Sequence, residues 1–124
     1  MVASHRFDPE EFLHLATSLA RRQPVSEAEA RRAISRAYYA VHLYARDRLI
    51  ASGHMTSTNT GADHQLVVTT LRRLGGMEGD GVDWLRVRRT RADYQLGRDI
   101  MGKDAAYVTA FAQTILESLQ TMVV

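Results

Sequence analysis

The sequence predicts an all-α protein, an up-and-down bundle of four to five helices. Three observations carry that expectation. Apolar residues recur at helical spacing in successive segments. Glycine, proline and polar clusters punctuate those segments. No stretch alternates with period two among β-branched residues, so no sheet is expected. At 124 residues the chain suits one compact domain, covering 1–124.

The first helix opens at Asp8, Pro9, Glu10 and Glu11. Asp8 is placed to cap, Pro9 fits the first helical position, and Glu11 completes a capping box. Phe12, Leu15, Ala16 and Leu19 then share a face, and Pro24 stops the helix. The second helix starts at Ser26, with Glu29 three residues on as a second capping box, and extends to about Ala51 before Gly53. Ala30, Ile34, Ala37, Tyr38, Val41, Ala45 and Leu49 form its inward stripe. A second stripe of Tyr39, Leu43 and Ile50 lies nearly opposite, which suggests either a central helix or a homodimer contact. Ala33, Ala37 and Ala40 would let another helix approach closely.

Residues 52–61 form a polar loop, either a mobile surface connection or a cover over a site. A third helix spans about 63–74, its face made by Leu66, Val67, Thr70, Leu71 and Leu74. Residues 76–81 are glycine-rich and are expected to be a flexible connection; they lack the Gly-Lys-Ser/Thr ending of a phosphate-binding loop. The fourth helix is placed at about 82–96, with Leu85, Ala92 and Leu96 inward. The fifth runs from about 102–104 to 121, with Ala105, Val108, Phe111, Ala112, Ile115, Leu116 and Leu119 inward.

Composition excludes several chemistries. There is no cysteine, hence no disulfide, thiolate metal site or thiol nucleophile. Residues 1–9 lack the apolar core of a signal peptide, and no apolar run approaches the ~20 residues that span a bilayer. A cytoplasmic protein without membrane attachment is expected. The histidines show no paired zinc spacing with carboxylates, so neither a metal nor a cofactor is expected. His5, His14 and His54 look like surface residues, and His42 like a partly buried structural one.

Net charge is only +2, yet fifteen of the sixteen basic residues are arginine, and four of them fall at 86, 88, 89 and 91. A GC-rich genome would account for arginine over lysine generally. A cluster on a helix that must also dock on a core points to phosphate or carboxylate recognition by guanidinium forks. On a wheel of about 100° per residue, Arg88 and Arg89 flank the apolar stripe on opposite sides. Arg86 faces solvent, and Trp84, Arg88, Arg91 and Gln95 form a separate stripe. Arg89 can pair with Asp93 at i,i+4. Cations near a core edge need a partner: Asp93, a tyrosine of the second helix, or a bound phosphate. Tyr38 is expected in the core, bonded to a polar group of the fourth helix, and Tyr39 at a dimer contact.

In this order the residues resemble a family. Ser35-Arg36-Ala37-Tyr38-Tyr39-Ala40, then Asp63-His64-Gln65 opening the next helix, then Arg88-x-x-Arg91-Ala92-Asp93-Tyr94 look like the HEPN domain (higher eukaryotes and prokaryotes nucleotide-binding) in its short stand-alone bacterial and archaeal branch. Order and spacing agree over about 26–107. The resemblance implies a helical bundle, usually paired into a dimer, often encoded beside a minimal nucleotidyltransferase in toxin–antitoxin or defence settings. It marks Arg88, Arg91, Asp93, Tyr94, Arg36 and His64 as candidates for binding RNA or a nucleotide, with Tyr39, Leu43 and Ile50 at the dimer contact.

Active members of that family are metal-independent ribonucleases with an arginine followed four to six residues later by a histidine. Attack of a ribose 2′-hydroxyl on its phosphate wants an acid or base titrating near neutrality and a guanidinium to stabilise the developing charge. Here the last histidine is His64, and Asp93 stands five residues after Arg88. An aspartate is a poor acid at neutral pH. Three readings follow: a module binding RNA or nucleotide; an interaction protein whose Arg/Asp/Tyr set is structural; and a ribonuclease toxin in which His64 and Arg88 supply a non-standard catalytic set.

Overall fold

The computed structural model describes residues 6–124 and is an all-α bundle of five helices. They are α1 (Glu10–Ala20), α2 (Glu27–Ala51), α3 (Ala62–Leu74), α4 (Glu78–Tyr94) and α5 (Gly102–Thr121). His5 lies outside the described residues. No helix is long and apolar enough to cross a membrane.

The long helix α2 packs against each of the other four. Its start follows the capping rule: the Glu29 amide donates to Ser26 Oγ at 3.1 Å and the Ser26 amide to Glu29 Oε1 at 3.0 Å. Gly53, at φ +79°, takes the left-handed conformation that closes the helix. Every residue of the predicted inward stripe is buried. Ala33, Ala37 and Ala40 are fully buried too, so their small size serves packing inside this chain. Of the second stripe, Tyr39 and Leu43 are half-buried and Ile50 is exposed.

Several expectations need correction. In α1, Asp8 Oδ1 accepts the Glu10 amide at 3.0 Å, but the Glu11 amide goes to the Asp8 carbonyl and no capping box forms. The buried face of α1 is Leu13, Ala16 and Leu19; Leu15, two positions from Leu13, turns outward. In α3, Leu74 is exposed while Val68 is buried.

The largest correction concerns α4, which begins at Glu78 and takes in most of the stretch expected to be flexible. Gly79 and Gly81 lie within the helix, and neighbours come too close to either for a side chain. A Cβ at Gly79 would lie 2.9 Å from Arg72 Cγ and 3.1 Å from the Val68 carbonyl oxygen, and one at Gly81 would run into Ile115. Glycine's unfavourable helix propensity is overridden by close contact with α3 and α5. At its other end α4 stops at Tyr94, leaving Leu96 81% exposed. Arg31 of α2 caps that end. Its guanidinium donates to the carbonyls of Ala92 (2.9 Å), Gln95 (3.2 Å) and Arg98 (2.6 Å), while Nε is held by Glu27 at 3.1 Å. A cation at a helix C-terminus satisfies carbonyls that have no helical partner.

Residues 52–61 are organised around Asp63. Its carboxylate accepts the Ser57 hydroxyl (2.6 Å), the Thr58 amide (2.8 Å) and the Thr58 hydroxyl (2.7 Å). In that order, these bonds hold the carboxyl down to about 2. Met55 tucks into the core beneath the loop.

Candidate functional site

The four clustered arginines of α4 project into different surroundings. Arg86 is half-buried and donates to Gln65 Oε1 of α3 at 3.1 Å, so it is less exposed than the wheel suggests. Arg89 points inward and is only 9% exposed. Arg88 and Arg91 turn toward α5.

Arg89 enters a polar and aromatic cluster between α2, α3 and α4. Its guanidinium carbon stands 5.5 Å from the Tyr38 ring centre, 5.4 Å from Tyr39 and 5.9 Å from Tyr94. Its Nη1 is 3.6 Å from Asp93 Oδ2, and that oxygen also accepts the Ser35 hydroxyl at 3.2 Å. Arg36 extends the set, its guanidinium lying over the rings of Phe12 (5.0 Å) and Tyr39 (5.3 Å). Tyrosine faces and one carboxylate thus replace the water a buried cation loses. The replacement is incomplete: Arg89 Nε and His42 Nδ1 are buried without a hydrogen-bond partner among the described residues.

Two histidines complete the cluster. His42 is buried and stacks on His64, ring centres 4.4 Å apart. Burial first, then the neighbouring His64, pushes His42 down to about 3. His64 is also lowered, by burial first and then by the charges of Arg89 and Arg86. Tyr38 is fully buried, and burial raises its hydroxyl well above the ordinary value. Its hydroxyl pairs with His64 Nδ1 on α3, not with α4 as expected. His42 is therefore neutral at pH 7, and the same burial and neighbouring guanidiniums disfavour the charged form of His64. His14 and His54 are exposed.

On the opposite flank of α4 lies an open cleft of about 290 Å³. Its floor is apolar (Ile34, Ile100, Val108), and its walls carry Trp84, Arg88 and Arg91 from α4, Arg98 and Asp99 from the following loop, and Asp104 and Tyr107 from α5. The Arg88 guanidinium lies over Trp84, 3.9 Å from the ring centre. Trp84 in turn is wedged by Phe111 at 4.5 Å. Among the described residues, neither Arg88 nor Arg91 has a hydrogen bond or ion pair from its side chain. Burial and, next, the adjacent Arg91 charge lower Arg88 from its ordinary value. Two guanidiniums at i,i+3, one stacked on an indole and neither paired among the described residues, leave donors of the kind that suit an anion.

The candidate set thus divides. His64, Asp93 and Arg36 belong with Arg89 in or beside the buried cluster, while Arg88 and Arg91 face the cleft. Tyr94 is 70% exposed near the end of α4. His64 does not line the cleft that holds Arg88. Sequence reasoning missed Arg31, Arg98, Asp99 and Tyr107. Only Arg31 carried a local signal, its i,i+4 spacing from Glu27; the others are brought in by the 95–101 turn and α5. No group of three or more potential metal-ligating side chains occurs among the described residues. Comparison of the chain with protein families, with curated proteins and with solved structures finds no match.

Proposed function

We propose that this chain is a HEPN-like domain that binds RNA or a nucleotide through phosphate contacts on the Arg88–Arg91 side of α4. The observation that carries the reading is the pair of unpartnered guanidiniums in a cleft with exposed aromatic surface beside them. The order of the Ser-Arg-Ala-Tyr-Tyr-Ala and Arg-x-x-Ala-Asp-Tyr blocks supports it from the sequence. In this reading the chain pairs as a homodimer through Tyr39, Leu43 and Ile50 and works in the cytoplasm beside a nucleotidyltransferase partner in a toxin–antitoxin or defence system.

The test is binding of a fluorescent single-stranded RNA at two salt concentrations. Affinity is expected to fall steeply between 50 and 200 mM salt, as counterion release requires, and to drop about tenfold or more in the Arg88→Ala/Arg91→Ala double variant. Salt-independent binding unaffected by both substitutions would remove the basis of the proposal.

A second reading, a pure interaction protein, draws on Asp93. Its carboxylate is engaged by Arg89 and Ser35, which suits a role in holding α4 to α2. The ribonuclease reading is weakened by the separation of its two members, since His64 pairs with Tyr38 in the cluster and Arg88 faces the cleft.

A further inference from the structure

The cleft between α4 and α5 is not uniformly basic. Asp99 lines it beside the three arginines, is exposed, and forms no ion pair within it among the described residues. Asp104 is already engaged, accepting the Met101 amide at 2.8 Å at the start of α5. A groove for a nucleic-acid strand meets a phosphate at every step, and an unneutralised carboxylate in its wall repels that strand. The same carboxylate suits a ligand with one anionic end and one end rich in N–H or O–H donors. The Tyr107 residue is 64% exposed and its ring meets Trp84 only at a tilt, centres 5.9 Å apart, whereas Trp84 has Arg88, Phe111 and Tyr107 around it, so the ring more open for stacking is Tyr107. The volume, about 290 Å³, sits at the bottom of the roughly 300–1,000 Å³ range of small-molecule sites and suits one nucleotide.

We propose that the ligand of this cleft is a single free nucleotide, its phosphate between Arg88 and Arg91, its base against Tyr107, and a ribose hydroxyl or exocyclic amine donating to Asp99. The assignment rests on the phosphate-binding reading above and narrows it. Arg98 closes the phosphate side, and its position is set by its Nε bond to Gln95 Oε1 (2.7 Å) and by Arg31 on its carbonyl.

Trp84 is the only tryptophan of the chain, so its fluorescence reports on this cleft alone. The probes are adenosine 5′-monophosphate, inorganic phosphate, and a ten-uridine RNA without terminal phosphates, each titrated against the full chain. The monophosphate is expected to change Trp84 emission saturably and to bind about tenfold tighter than inorganic phosphate. Asp99→Asn should weaken the monophosphate several-fold and leave inorganic phosphate unchanged; Tyr107→Ala should weaken the monophosphate about tenfold. Both side chains are exposed, and circular dichroism checks that each variant folds. If the RNA binds tighter than the monophosphate and Asp99→Asn tightens both, the cleft is a strand groove; the single-nucleotide assignment then falls while the phosphate reading stands. If no probe alters Trp84 emission, both fall.

Discussion

Arg88 and Arg89 are neighbours on one helix and have opposite fates. Arg89 is enclosed by Tyr38, Tyr39, Tyr94 and Asp93. Arg88 rests on Trp84 with its hydrogen-bonding edge unengaged. About 100° of helix rotation separates a cation whose interactions are internal to the fold from one whose donors remain available. A cluster of like residues in sequence is therefore not a functional unit by itself. What each arginine does is decided by the helix it faces: α2 and α3 on one flank, α5 on the other.

The sharpest way to break this comparison is to remove each arginine in turn and measure unfolding in urea. Arg89→Ala strips the cluster of its buried cation and leaves Asp93 without its ion pair; we expect a loss of about 2–3 kcal/mol, below the buried-pair range because the Asp93 side chain is 29% exposed. If Arg89→Ala proves as stable as the parent protein, the cluster is not structural and the contrast fails. Next in size is Arg31→Ala, which uncaps the carbonyls of Ala92, Gln95 and Arg98 and is expected to cost about 2 kcal/mol.

The pH dependence follows from the two lowered histidines. His42 takes up a proton near 6.5 when unfolded but only near 3 when folded. The unfolded chain thus binds more protons between those values, so stability is full above about pH 6.5 and falls as the solution is acidified. For His42 the slope approaches about 1.4 kcal/mol per pH unit within that window. His42→Phe should flatten the profile between pH 6.5 and 4.5, a window above that in which the depressed Asp63 contributes. An unchanged slope would mean that His42 is accessible to protons in the folded chain. The smallest stability effect is expected for Arg88→Ala, under about 1 kcal/mol, the worth of its stack on Trp84. A larger loss would move Arg88 into the structural class with Arg89.

Much of the architecture was legible because its signals are local. Ser26 and Glu29 announced α2, and its inward stripe was read residue for residue. The start of α4 was not legible. Gly79 and Gly81 speak locally for a loop, whereas close contact with Arg72 and Ile115, invisible in the sequence, is what requires glycine there. The candidate site followed the same division. The arginine cluster and its Asp93 partner could be read from spacing. Which arginine points inward could not, because the wheel placed Arg88 and Arg89 on opposite flanks of the apolar stripe, both close to its edge. Asp99 and Tyr107 join Arg88 only through the turn before α5, a non-local event that no short motif encodes.

The two anchors of α4 have a kinetic consequence. Glycine contacts clamp its beginning against α3 and α5, and Arg31 ties down its end. The backbone beneath Arg88 and Arg91 is fixed before anything arrives, so an anion entering the cleft meets donors already in position. Capture should proceed in one step, its observed rate rising linearly with anion concentration and showing no plateau from a slow rearrangement of the helix.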